Sequence, residues 1–177
     1  MSSTNDKIAF TDHEELREAV RIFTGTDDSA RQQLISTYGE IRDWDVSNVT
    51  NMKNMFSGCE NFNSDISEWD VRNVTNMEWM FHNCHMFNSD LSKWNVGNVT
   101  TMTWMFSHCY NFNSDLSKWD VSNVKNMAIM FIYCYNFNSD ISLWNVSKVK
   151  DMVRMFYGCY KFKSDLSNWN IANIIYM

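Results

Sequence analysis

The chain has 177 residues, 45% hydrophobic and 15% aromatic, with a formal net charge of −6, five cysteines and no proline. That length can bury one sizeable core, and the acidic balance argues against a nucleic-acid surface, which rests on clustered Lys and Arg. The opening Met1-Ser2-Ser3-Thr4-Asn5-Asp6-Lys7 lacks the apolar run of a secretory signal, and no stretch nears the roughly 18 apolar residues of a membrane span. The expectation is an intracellular protein that does not insert into a membrane.

Residues 1–40 are expected to form a tail and a helical cap, with residues 1–7 as a disordered tail. Thr11-Asp12-His13-Glu14 has capping-box spacing, with the Thr11 hydroxyl in reach of the Glu14 amide. Leu16, Ala19, Val20 and Phe23 follow at helical spacing, and Gly25 suits a left-handed helix stop. A second short helix starts near Asp28-Ser29, aligns Ala30, Leu34, Ile35 and Tyr38, and stops at Gly39. The helical pair would cover an end that otherwise leaves apolar side chains in water.

From residue 41 to residue 177 a 25-residue period takes over. Trp44, Trp69, Trp94, Trp119, Trp144 and Trp169 mark it, as do Cys59, Cys84, Cys109, Cys134 and Cys159 and the line Asp65, Asp90, Asp115, Asp140 and Asp165. A fixed period of this length is the signature of repeats that pack on their neighbours. Within one repeat, Trp69 and Val71 alternate with Asp70 as in a short half-buried strand. Val74, Met77, Met80, Phe81, Cys84 and Phe87 then lie three or four apart, the spacing of one helical face. Asn88-Ser89-Asp90 forms a polar corner. The expected fold is therefore α/β: a leucine-rich-repeat-like solenoid of about five strand–helix coils, with a truncated last coil and a small helical N-terminal cap.

The run from Asp65 to Ser89, with its Trp-Asp-Val-x-Asn-Val-x-x-Met-x-x-Met-Phe core, resembles the BspA-type leucine-rich repeat of mycoplasma and other bacterial surface proteins, also found in protists and large DNA viruses. The resemblance covers residues 41–177, and the leader Ala9-Phe10-Thr11-Asp12 through Val20 is similar to that of eukaryotic and viral members. It implies a solenoid that binds proteins or surfaces and carries over no catalytic residue.

Each chemical reading of these residues competes with a scaffold reading. The Asp line suits calcium poorly, with about one carboxylate per coil against the six to eight oxygens that ion takes; corner hydrogen bonds beside Ser64, Ser89, Ser114, Ser139 and Ser164 explain it better. Asn48, Asn73, Asn98 and Asn123 either cap helices or tie adjacent coils, and Lys148 interrupts their line. His82, His85 and His108 near Cys84 and Cys109 suggest zinc, but the cysteines belong to the inward face. No catalytic, cofactor or metal site is assigned.

Departures from the repeat are more informative. At 100° per residue, Trp79, Trp104 and Ile129 face away from the core, with Ile132 and Tyr133 beside them and Tyr110, Tyr135 and Tyr160 at the flank. Such a patch marks an interface, the alternative being burial under neighbouring side chains. At the C-terminal end, Trp169, Ile171, Ile174 and Tyr176 begin a coil that stops early, and an open coil end invites another chain, as in a two-fold homodimer. A polar face carrying Asp45, Glu68, Asp70, Lys93, Lys118 and Asp120 is a further candidate for ligands. The function expected is a non-enzymatic protein-interaction or scaffold module that self-associates, the alternative being a surface or virion attachment protein recognising a host molecule.

Overall fold

A computed structural model describes residues 8–177; the expected tail lies outside the described residues. Helix α1 (His13–Thr24) begins at Asp12, whose carboxylate accepts the Glu15 amide at 3.0 Å. The Glu15 carboxylate reaches back to the Thr11 amide (2.7 Å) and hydroxyl (2.8 Å). The box thus sits one residue later than the Thr11–Glu14 spacing suggests, because Asp12 outcompetes Thr11 for the free amides. Those two bonds hold the Glu15 carboxyl below its ordinary range. Helix α2 (Asp28–Tyr38) is capped by Asp27 and ends at Gly39, whose φ of 80° requires glycine. Gly25 is different: it ends α1 in an extended conformation (φ −74°, ψ −177°), not a left-handed one.

Both helices cover the first coil. Leu16, Ala19 and Val20 of α1 are buried, Phe23 meets Trp44 edge-on, and Phe10 lies between Tyr38 (4.5 Å) and Trp44 (5.1 Å). His13 Nδ1 lies 3.0 Å from the Asn51 carbonyl oxygen.

The 25-residue segments lie one above another. Phe56, Phe81, Phe106, Phe131 and Phe156 form a column of parallel rings 5.3–5.9 Å apart, flanked by a second column of Phe62, Phe87, Phe112, Phe137 and Phe162. The inward Val, Met and Cys side chains of the central coils are fully buried. Each buried cysteine thiol donates to a phenylalanine carbonyl 28 residues back, as in Cys109 to Phe81 at 3.0 Å. All five cysteines are free, and burial raises the Cys84, Cys109 and Cys134 thiols well above their ordinary range and pushes Cys159 up to about 12.

The strand–helix coil is overturned. Among the described residues the α-helices are α1 and α2, both before the repeats, followed by one short 3₁₀ turn (Ile41–Asp43). The repeats contain no continuous strand or sheet, only isolated parallel bridges joining Asn51, Asn76, Thr101, Asn126, Asp151 and Tyr176 in succession. The molecule is therefore not an α/β leucine-rich-repeat solenoid.

Two backbone facts explain the difference. Spacings of three come from consecutive turns whose inward residues bond i to i+3: Met80 to Met77, Cys84 to Phe81, Phe87 to Cys84 and Trp94 to Leu91. Helix is broken twice per coil by left-handed residues. One column is Asn54, Trp79, Trp104, Ile129 and Arg154 (φ 51–62°), and the other is Gly58, Asn83, His108, Tyr133 and Gly158. Such values are uncommon outside glycine and end a right-handed helix.

Where a strand was expected, at Trp69 to Val71, side chains take the backbone groups instead. The Ser89 hydroxyl receives the Ile66 amide, the Trp94 indole donates to the Ile66 carbonyl at 3.1 Å, and the Asn98 amide donates to the Arg72 carbonyl at 2.8 Å. The same three devices recur up the stack. Between the left-handed columns the backbone makes the inter-coil bonds itself, in one direction. The amides of Met77, Trp79, Phe81 and Asn83 all donate to carbonyls 24 residues ahead, at 2.8–3.1 Å.

Candidate interaction surface

The left-handed columns place the largest side chains on the outside. At Trp79 and Trp104 the backbone turns the indoles outward, where they stack at 4.4 Å with 5° between ring planes. Both are half-buried, as is Ile129 above them. The His82 ring packs edge-on against both indoles and lies 5.8 Å from His108. Burial lowers the proton affinity of His82 and of His108, with the neighbouring imidazoles acting in the same direction. His82 Nδ1 is buried without a hydrogen-bond partner among the described residues. The Ser107 hydroxyl lies 2.8 Å from His108 Nδ1.

Beside this stripe runs a ladder of parallel rings: His85, Tyr110, Tyr135 and Tyr160, at successive centroid distances of 4.6, 4.9 and 5.4 Å. Exposure rises along it, to 78% at Tyr160. Tyr133 is half-buried between stripe and ladder, 4.9 Å from His108. Ile132 is not part of this surface: at 7% exposure it is buried. A helical phase of 100° per residue sends it outward, but the left-handed break at Ile129 redirects the chain and turns Ile132 into the packing.

The C-terminal residues divide. Trp169 is buried and its indole donates to the Ile141 carbonyl at 3.1 Å, so it belongs to the core rather than to an interface. Ile174 is half-buried, while Ile171 and Tyr176 are exposed. An apolar hollow of about 510 Å³ opens here among Met152, Met155, Phe156, Leu166 and Trp169.

On the polar face, Glu68 pairs with Lys93 of the next coil, and Asp70 pairs with Arg72 at 2.8 Å. Asp120 accepts the Ser122 amide at 3.0 Å, Asp45 is half-buried, and Lys118 is exposed. These groups satisfy one another and converge on no pocket. The Asp corners accept the amide of the serine two residues on, at 2.9–3.0 Å. The asparagine line ties coils rather than capping helices: Asn73, Asn98, Asn123 and Asn173 each donate to a carbonyl 26 residues back. Lys148 fills the gap by donating to Asn123 Oδ1 at 2.7 Å. Among the described residues no group of His, Cys, Asp or Glu is placed to hold a metal ion.

A family model described as "Mycoplasma protein of unknown function, DUF285" matches residues 21–131 and again residues 92–177. The chain belongs to this family. The two overlapping matches fall on the 25-residue segments, so the family is one of repeat proteins and this chain carries it nearly from end to end. No curated protein and no solved structure matches the chain. Among the described residues, no helix of this DUF285 protein is long and apolar enough to cross a membrane.

Proposed function

We propose that this chain is a non-enzymatic protein-interaction module that self-associates through the stripe of Trp79, Trp104 and Ile129 and the adjoining tyrosine ladder. One observation carries the reading. The first coil fills the left-handed position with Asn54, a residue that tolerates φ > 0, whereas the next three coils place Trp, Trp and Ile there. Left-handed backbone costs on the order of 1–2 kcal/mol for such residues, and strain of that kind gathers at sites with a task. Half-exposed tryptophans backed by a rigid scaffold are typical anchors of interfaces. The kinship with BspA-type repeats belongs to the same proposal and rests on the Trp-Asp-Val-x-Asn-Val signature, as does an intracellular location. We leave the C-terminal hollow out of the self-association. Its amide rows point outward, and a two-fold pairing would set donors against donors.

The test replaces both indoles by the residue the first coil uses, Trp79→Asn with Trp104→Asn, and follows mass by sedimentation equilibrium across concentration. The parent should associate and the variant should stay monomeric with its thermal midpoint held. A parent monomeric at the highest concentration, or a variant that associates equally well, overturns the proposal.

A further inference from the structure

Beyond the aromatic face, and independent of it, a polar groove of about 580 Å³ crosses the later coils, lined chiefly by Asn113, Asn136, Asn138, Tyr160, Lys161 and Lys163, with no carboxylate in its wall. Its chemistry is one-sided. Asn63, Asn88, Asn113 and Asn138 form a column in which each Oδ1 accepts the backbone amide of the residue 25 positions on, at 2.7–2.9 Å. The acceptor half of every side chain is therefore committed, and the NH₂ halves of Asn113 and Asn138 have no acceptor among the described residues. Lys161 and Lys163 form no ion pair there either. Asp140 and Asp165 border the next hollow, each with one oxygen held by a backbone amide.

The charge distribution points the same way. Residues 121–177 carry six basic side chains against three carboxylates, a net +3 within a chain of −6, which leaves −9 on residues 1–120. The groove lies in the basic part of an acidic protein. An asymmetry of this sort draws an anionic partner.

The spacing selects the kind of anion. Successive coils repeat every 4.9–5.4 Å along the tyrosine ladder. An extended peptide presents same-face side chains roughly every 6.5 Å, out of step with the coils, whereas a 1,4-linked sugar advances its chain by about the width of one ring. We propose that the groove binds an acidic polysaccharide at about one sugar per coil. Lys161 and Lys163 meet uronate carboxylates, and the Asn113 and Asn138 amides donate to ring hydroxyl oxygens.

Titration calorimetry on the full chain with short oligogalacturonates tests this, with a neutral galactan oligosaccharide and poly-glutamate as competitors. The uronate should bind, weakening with salt, and neither competitor should match it. Lys161→Gln with Lys163→Gln should weaken binding about tenfold. Asn113→Asp with Asn138→Asp keeps the Oδ1 acceptors that join the coils but replaces the NH₂ donors by charge, and should abolish binding with the melting curve unchanged. The Trp79→Asn, Trp104→Asn variant should bind the uronate as the parent does, which separates this site from the aromatic face. Absent uronate binding, equal binding of poly-glutamate or the neutral sugar, or parental affinity in either groove variant overturns the proposal.

Discussion

The helical cap and the stacked coils solve one problem in opposite ways. In the cap, backbone groups are satisfied locally: Asp12, Asp27 and Glu15 close the helix starts within four residues. In the coils, partners sit 23 to 28 residues away, and even the tryptophan and cysteine side chains spend their donors on the coil before. The cap is therefore stabilised residue by residue, whereas no coil is complete without its neighbours. The contrast also separates tolerance from fragility: a local bond lost in the cap leaves neighbours that can still pair, and a bond lost mid-stack orphans groups on two coils.

The comparison can be broken most severely at Phe106, whose ring is fully buried between Phe81 and Phe131. Phe106→Ala should cost about 3–5 kcal/mol and lower the denaturation midpoint of the whole stack in one transition. A separate transition confined to one coil would show that the coils are not interdependent. A smaller effect belongs to the cap. Asp12→Ala removes the acceptor for the Glu15 amide and should cost about 1 kcal/mol, read by urea denaturation with an unchanged slope. A loss as large as that of Phe106→Ala would mean the cap is no more local than the stack.

Acid should produce the mildest effect and act on the two regions differently. The folded state holds His82 and His108 below their ordinary proton affinity, chiefly by burial, so the stack is favoured above the unfolded histidine value of about 6.5. That contribution is lost as pH falls through it toward the lower folded value. Glu15 and the Asp corners are depressed carboxylates held by backbone amides. Their contribution is present above about pH 4 and disappears only below it. Thermal melts between pH 7 and 5 should therefore fall in the parent and flatten in a His82→Asn, His108→Asn variant, Asn being the residue the second coil already holds at the left-handed position.

How much of this was legible follows from which residues carry a chain-level signal. The period of Trp44 to Trp169 fixes which residues stack, and it locates the corners at Asp65 and its copies and the inter-coil ties of Asn73. The helices of the cap were readable from Asp28, Gly39 and the apolar spacing of Leu16 to Phe23. The conformation inside the coil was not, because Val74, Met77, Met80, Phe81 and Cys84 have the same spacing in a helix and in a chain of i to i+3 turns. The residues that decide between them are left-handed, and most are not glycine. Trp79, Trp104 and Ile129 give no sign of it, and only Gly58, Gly158, Asn54 and Asn83 hint at the break. Ile132 was misplaced for that reason, and Trp169 because its buried indole bond depends on a coil 28 residues earlier. The Asn–Lys groove escaped notice because Asn63 and its copies look like mere corner residues until the bonding of their Oδ1 atoms is seen.

Gly158 shows how tight this arrangement is: a Cβ there would come within 2.5 Å of the Tyr133 ring. What the scaffold rigidly preserves is phase. Because every contact between layers is counted in whole repeats, excision of a full 25-residue unit from the middle would present each remaining partner with an equivalent one. Loss of a single residue would throw all of them out of step at once, so the molecule is built to vary in copy number.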